Sequence, residues 1–344
     1  MVPGTSVKGA RIEENTLKTQ ISTDDSRIAV DIPKSLDKLS EAELDRKSCI
    51  GRVMTYTLSN LTNYFTVNGF QWLLPVALSK STDPLWPDPG ASIDKRIEVD
   101  IYGETVRTTS SMIVHKLIAS SLAYPKLFIL SPNIRIEKAE RAKTGKHIYE
   151  FTQLDFEARN ATSSDIMRLV EGAVTGLVES LKKNRVDDLK LLGRCEELRI
   201  TKQPFATYDA AKLEEKYGPG WEAELIDEIK EPSWVVNIPR EFYDYEDFET
   251  GRWDNYDLMM PGYGEVLSGS RRECEYPKML AKMDRENVRK ENFTLILKLA
   301  KEGRIRPTAG AGIGVERIVG WITGAKHIGE IQPFPKVPGT VYEL

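Results

Sequence analysis

Apolar and polar positions along this chain follow two periods, and the switches between them outline its elements. Over residues 50–68, Ile50, Val53, Met54, Leu58, Leu61 and Phe65 recur at helical spacing. Ser40 opens that helix and Asn68-Gly69 closes it. Residues 70–74 read as a strand ended by Pro75, and residues 79–90, with three prolines, as a loop. Residues 127–130 form a short apolar strand, followed by a charged stretch, 137–146, with Gly145 near its end. Residues 147–159 then alternate. Ile148, Thr152, Leu154, Phe156 and Ala158 share one side; Tyr149, Phe151, Gln153, Asp155 and Glu157 share the other. That second face suits either a half-exposed strand or the lining of a polar pocket. Residues 162–181 carry the clearest helical stripe, from Ile166 to Leu181, behind a capping pair of Thr162 and Asp165. Residues 208–217 and 278–301 are further helical segments, and 28–32 a short strand. Strands and helices mix without a βαβ rhythm, which predicts an α+β fold with an antiparallel sheet.

Composition narrows the picture. The 344 residues are 40% apolar and 29% charged, enough for a large core. The net charge of −4 argues against a protein that coats nucleic acid. No apolar run is long enough to span a bilayer, and the polar start shows no secretory h-region. Cys49, Cys195 and Cys274 form neither a metal-spaced pair nor a disulfide framework. The expectation is a reduced, cytoplasmic protein with no membrane partner. Residues 1–45 read as a partly disordered extension and 46–344 as the folded domain.

Two segments hold candidate chemistry. Gly310-Ala-Gly-Ile-Gly-Val-Glu-Arg317 lacks the glycine that a dinucleotide fingerprint needs at 315 and the Gly-Lys-Ser/Thr of a phosphate loop. It is either a tightly packed strand-to-helix turn or bare backbone against a ligand, with Arg317 placed for a phosphate or base. In the second, Asp257 and Glu265 flank a tight turn and Arg271-Arg272 follows. It reads as a charged hairpin, or as carboxylates sharing Mg²⁺ with ATP phosphates beside an arginine clamp.

Taken together, the segments resemble the three signature motifs of class II aminoacyl-tRNA synthetases, closest to the aspartyl/asparaginyl branch. Motif 1 matches residues 50–75. Motif 2 matches Ile134-Arg135-Ile136-Glu137 and His147-Ile-Tyr-Glu-Phe151-Thr-Gln-Leu-Asp155-Phe-Glu157. Motif 3 matches residues 310–317 with Trp321, His327 and Pro333-Phe334-Pro335. The resemblance implies an antiparallel sheet of six or seven strands flanked by helices, and a homodimer formed through motif 1. It implies ATP and Mg²⁺ as cofactors and attack of a carboxylate on the α-phosphate. Arg135 and Arg317 would be catalytic. Arg135, Glu137, His147, Phe151, Glu265, Gly314 and Arg317 would bind ATP: Arg135 against the α-phosphate, Phe151 and Arg317 around the adenine, His147 on the outer phosphates. Asp257 and Glu265 would hold Mg²⁺. Ser111, Lys116, Gln153, Asp155 and Arg272 would bind the amino acid.

Within that branch, Lys116 matches a lysine of aspartyl enzymes, and Lys116 with Arg272 suits a carboxylate better than an amide. The Gly-Ser-Arg-Arg-Glu run is of asparaginyl type. Met112 and Ile113 depart from the aspartyl pattern. The core starts near residue 45, without room for an anticodon-binding barrel, so tRNA is expected to be an unlikely partner. The resemblance then points to the archaeal-type asparagine synthetases related to asparaginyl-tRNA synthetase. The expected activity is AMP-forming, with aspartate, ATP and ammonium as substrates. Val2 offers no N-terminal cysteine for glutamine use. The alternative is a synthetase-like enzyme that aminoacylates an RNA or protein acceptor.

Overall fold

The computed structural model describes residues 30–83, 93–199 and 203–344. Residues 1–29, most of the expected extension, lie outside them, as do residues 84–90 of the expected proline-rich loop. Of the expected 28–32 strand, residues 30–32 are described and are not strand.

Among the described residues, the largest sheet has eight strands: β1 (Gln71–Leu73), β2 (Lys126–Ile134), β3 (Glu150–Arg159), β4 (Ala206–Asp209), β5 (Ser233–Val236), β6 (Asn255–Met260), β7 (Gly264–Arg271) and β8 (Thr308–Gly314). Their order is β1-β2-β3-β8-β7-β6-β5-β4. The six central strands pair antiparallel, and only the edge strands β1 and β4 pair parallel with their neighbours. The fold is α+β, as expected, with one strand more than the resemblance implies. Strand β4 includes Tyr208 and Asp209, which the helical spacing assigns to the start of the following helix. The 278–301 segment also divides, into helices Tyr276–Arg285 and Thr294–Lys301. Between them Asn287 takes a left-handed φ of 51°.

The apolar face of the sheet is covered by α1 (Glu41–Val67), α3 (Ser163–Asn184) and α4 (Val315–Thr323). Both long helices start with reciprocal capping boxes, Ser40 with Glu43 and Thr162 with Asp165, which satisfy backbone donors that would otherwise be orphaned. Phe65 of α1 packs its ring 4.7 Å from Phe156 and 5.2 Å from Phe70, joining helix to sheet. The opposite face is polar. It is roofed by α2 (Ile113–Leu122), whose Val114 and Leu117 pack into the two helices of the 276–301 region.

Strand β8 makes this division possible. Its odd positions, Ala309, Ala311 and Ile313, are buried in the apolar core. Beyond Thr308, its even positions on the polar face are all glycine: Gly310, Gly312 and Gly314. The middle of the polar face is therefore a trough of bare backbone. A Cβ on Gly310 would sit 2.2 Å from both Glu157 Oε2 and the Phe156 carbonyl, and one on Gly312 3.0 Å from Asp155 Oδ1. Gly310→Ala is expected to destabilise the protein by at least roughly 1–3 kcal/mol, because the backbone carbonyl has nowhere to go. Gly51→Ala, mid-helix in α1 with nothing within 4 Å of its Cβ, is expected to stabilise by about 0.5–1 kcal/mol. Urea unfolding of the two variants tests both signs.

Candidate active site

Register places the polar side chains in rows across the sheet. Asp155 on β3 lies opposite Gly312 on β8, Gly312 opposite Ser268 on β7, and Ser268 opposite Asp257 on β6. The next row runs Glu157, Gly310, Ser270, Asn255. Of the two readings of β3, the half-exposed strand does not hold: Asp155 and Glu157 are buried on the polar face.

At the deep end, charged groups pair with one another. Lys116 reaches down from α2 and donates to Asp155 Oδ1 and to the Ala311 carbonyl, both at 2.8 Å, with Glu157 3.9 Å away. Arg272 has all five of its N–H donors engaged. Nε and Nη2 reach Glu157 at 3.2–3.4 Å, Nη2 also reaches the Gly310 carbonyl at 3.0 Å, and Nη1 reaches Asp244 Oδ1 at 2.7 Å and Ser270 Oγ at 2.6 Å. Burial opposes the charge on Arg272, but Glu157 and Asp244 outweigh it and hold the guanidinium ionised. Lys116 and Arg272, expected from the resemblance to meet a substrate carboxylate, thus already face three carboxylates. Asp155 Oδ2 is buried with no hydrogen-bond partner among the described residues. Nearby, Gln153 Oε1 accepts from Asn133 at 2.8 Å, and Ser111 Oγ accepts from the Ile113 amide at 3.2 Å, at the start of α2.

At the outer end, Arg135 donates to the Ser110 carbonyl at 3.1 Å, and its guanidinium lies 5.1 Å over the Phe151 ring. Arg317, in the first turn of α4 beyond Gly314, bonds the Glu265 carbonyl at 3.1 Å and pairs with its carboxylate at 3.2 Å. Glu137 pairs with Arg141 at 3.2 Å. Arg141 also donates to His147 Nε2. Thr144 Oγ gives its hydrogen to the Arg141 carbonyl at 2.8 Å, so it accepts from His147 Nδ1 at 2.6 Å. His147 is thereby held as one neutral tautomer. Burial, with Arg141, Arg317, Lys146 and Arg135 around it, drives its pKa well below the usual value. It faces the residues of its own loop, which ends at Gly145 with φ 73°.

Asp257 and Glu265 share a face of the β6–β7 hairpin, across a register shift between Leu258 and Met259. Arg240 bonds Asp257 Oδ2 and Ser268. Burial first, and Glu265 next to it, push the Asp257 carboxyl up to about 7 against the pull of Arg240. Asp257 Oδ1 is buried and has no hydrogen-bond partner among the described residues. A spare carboxylate oxygen beside a second carboxylate suits a hard divalent cation that takes its other ligands from phosphates.

Several contributors escape the sequence patterns. Asp244, Arg240 and Arg141 act across 28, 17 and 6 residues through tertiary contacts, which no local spacing announces. Glu316 is another. Its buried carboxylate accepts the Thr152 amide on both oxygens at 3.0 Å, just beyond the end of β8. It thereby fixes the segment of β3 that carries Phe151 and Gln153.

Comparisons with known proteins assign the family. The family profile described as tRNA synthetases class II (D, K and N) matches residues 94–338, and the chain belongs to that family. It is 29% identical over 326 residues to the asparagine–tRNA ligase of Koribacter versatilis, covering 86% of this chain and 70% of that protein. It is 33% identical over 250 residues to the asparagine–tRNA ligase of Chloroflexus aurantiacus, covering 65% and 56%. The chain spans 60% of a third such ligase, from Desulforamulus reducens. The asparaginyl-tRNA synthetase of Pyrococcus horikoshii, complexed with asparaginyl-adenylate, superposes with a TM-score of 0.78 at 24% identity over 91% of this chain and 76% of that one. These relatives overturn the expectation of an ammonia-dependent asparagine synthetase and the expectation that tRNA is an unlikely partner. The room ahead of residue 46 does not decide against tRNA. No helix among the described residues is long and apolar enough to cross a membrane.

Glu316 gives a testable pH dependence. Burial raises its carboxyl from 4.5 to about 7. The folded state therefore holds a proton that the unfolded state releases, and this contribution is full below about pH 4.5 and lost as pH climbs through about 7. Glu316→Gln is expected to gain stability relative to wild type, by roughly 1–3 kcal/mol, from about pH 5 to about pH 8. Urea unfolding across that range reads it; a difference independent of pH contradicts it.

Proposed function

We propose that this chain carries the amino-acid-activating core of an asparagine–tRNA ligase. In the proposed reaction, asparagine's α-carboxylate oxygen attacks the α-phosphorus of ATP and pyrophosphate leaves. A terminal tRNA hydroxyl then attacks the acyl carbon and AMP leaves. Arg135 neutralises charge growing on the α-phosphate. Nucleotide entry exchanges the Arg135–Phe151 contact for base stacking on that ring, with Arg317 on the base's other side and Gly314 leaving room beside it. Glu137 and His147 border the nucleotide from the motif 2 loop. Asp257 and Glu265 would hold Mg²⁺, which when bound offsets phosphate charge. Asp155, with its spare Oδ2, receives the α-ammonium, and Ser111, Gln153, Lys116 and Arg272 line the side-chain end.

The observation that carries the choice of asparagine is the charge count at the deep end. Two cations, Lys116 and Arg272, face three carboxylates, Asp155, Glu157 and Asp244. An aspartate carboxylate would enter a pocket with no cation to spare, whereas a neutral amide adds no charge. ATP–pyrophosphate exchange with Mg²⁺ is expected to depend on asparagine and to run far slower with aspartate, and added tRNA is expected to become acylated. Exchange supported by aspartate alone, or by neither amino acid, overturns the assignment.

The homodimer expected through motif 1 belongs to the same proposal. The edge strand β1 exposes Trp72, and Leu74 just past its end and Val67 at the end of α1 are exposed beside it. A second copy would cover them and pair the open edge. Leu74→Glu is expected to convert a dimer to a monomer in sedimentation analysis.

A further inference from the structure

Asp244 differs from the other carboxylates of the deep pocket in where it comes from. Asp155 and Glu157 are part of β3. Asp244 is delivered from the segment after β5 and bridges backbone to backbone with Arg272. It is 2% exposed. The buried Lys282 ammonium bonds its main-chain carbonyl and pairs with Glu273 at 3.3 Å, so that lysine is already spent. Its Oδ1 accepts from both Arg272 Nη1 and Ser270 Oγ, while Ser270 Oγ accepts a second Nη1 hydrogen. The other half of Arg272 needs nothing from Asp244. Glu157 and the Gly310 carbonyl hold Nε and Nη2, and Glu157 is held in turn by Thr308 at 2.7 Å. The neighbouring Glu241 is pushed up to about 8 by burial, Asp83 and Asp244, and adds little charge at neutral pH. Asp244 therefore takes the one Nη1 hydrogen that the sheet, through Ser270, leaves free, and its charge tips the pocket from balanced to net negative.

We propose that Asp244 is the specificity-determining residue of the pocket, setting its preference for a neutral side-chain amide over a carboxylate by occupying and neutralising Arg272 Nη1. This rests on the asparagine-activating reading above. Replacing the carboxylate by an amide removes its charge and weakens its hold on Arg272 Nη1, leaving two cations against two anions, the arrangement that a substrate carboxylate requires.

The test compares wild type, Asp244→Asn and Ser270→Ala. Asparagine and aspartate are each measured by ATP–pyrophosphate exchange and by equilibrium dialysis with a non-hydrolysable ATP analogue, with circular dichroism to verify folding. Asp244→Asn is expected to raise the ratio of kcat/KM for aspartate over asparagine by about tenfold or more. Ser270→Ala, which frees one Nη1 hydrogen without changing charge, is expected to shift it the same way by less, and carries the test if Asp244→Asn does not fold. Folded variants that lose both substrates equally, with the ratio unchanged, overturn the proposal and leave Asp244 a structural residue. A wild type that prefers aspartate or uses neither overturns the asparagine reading, and this proposal with it.

Discussion

The arrangement above the sheet depends on pairing charge where there is no water. Lys116, Arg272, Asp155, Glu157 and Asp244 are all nearly or fully buried. An ion taken into such surroundings costs several kcal/mol, recovered only when its hydrogen bonds are filled by well-placed partners. Here the partners come from separate parts of the chain: α2, β3, the end of β7 and the segment following β5. The glycine trough in β8 is what lets them meet, since any side chain there would fill the space the carboxylates use. Carbonyls of that same strand, from Gly310 and Ala311, then serve as acceptors for the two cations. Backbone that seems merely small is thus part of the electrostatics.

Much of this was legible in advance where the physics is local. The α1 and α3 stripes, their caps and the two-faced pattern of β3 follow from spacing, and the structure has them within a few residues. The glycine run could be recognised as backbone meant for close approach, and the order of the motifs pointed to the family. What stayed hidden was non-local. Strand β4 is four residues beside a helix, and its identity comes only from pairing with β5. The pairing of Lys116 with Asp155 was equally invisible, since each residue alone looks like a ligand for substrate.

That blind spot explains why the motifs alone favoured aspartate while the proposed reading favours asparagine. Counting cations in a motif treats them as available, and by that count a lysine and an arginine favour a carboxylate. The folded chain supplies the opposing charges, one of them from a segment that no motif includes. Specificity in such a pocket is a property of the sum, and a sequence read motif by motif leaves out part of it.

The alternation of β8 also bears on how this protein can change over generations. Its odd positions are closed to larger residues by the core behind them, and Gly310 and, less tightly, Gly312 to a side chain by the carboxylates in front. Five consecutive positions, Ala309 to Ile313, thus have little substitutional freedom. A lineage that alters what this pocket accepts must do so from the flanking strands and the roof, with the central strand carried along as an unchanging track.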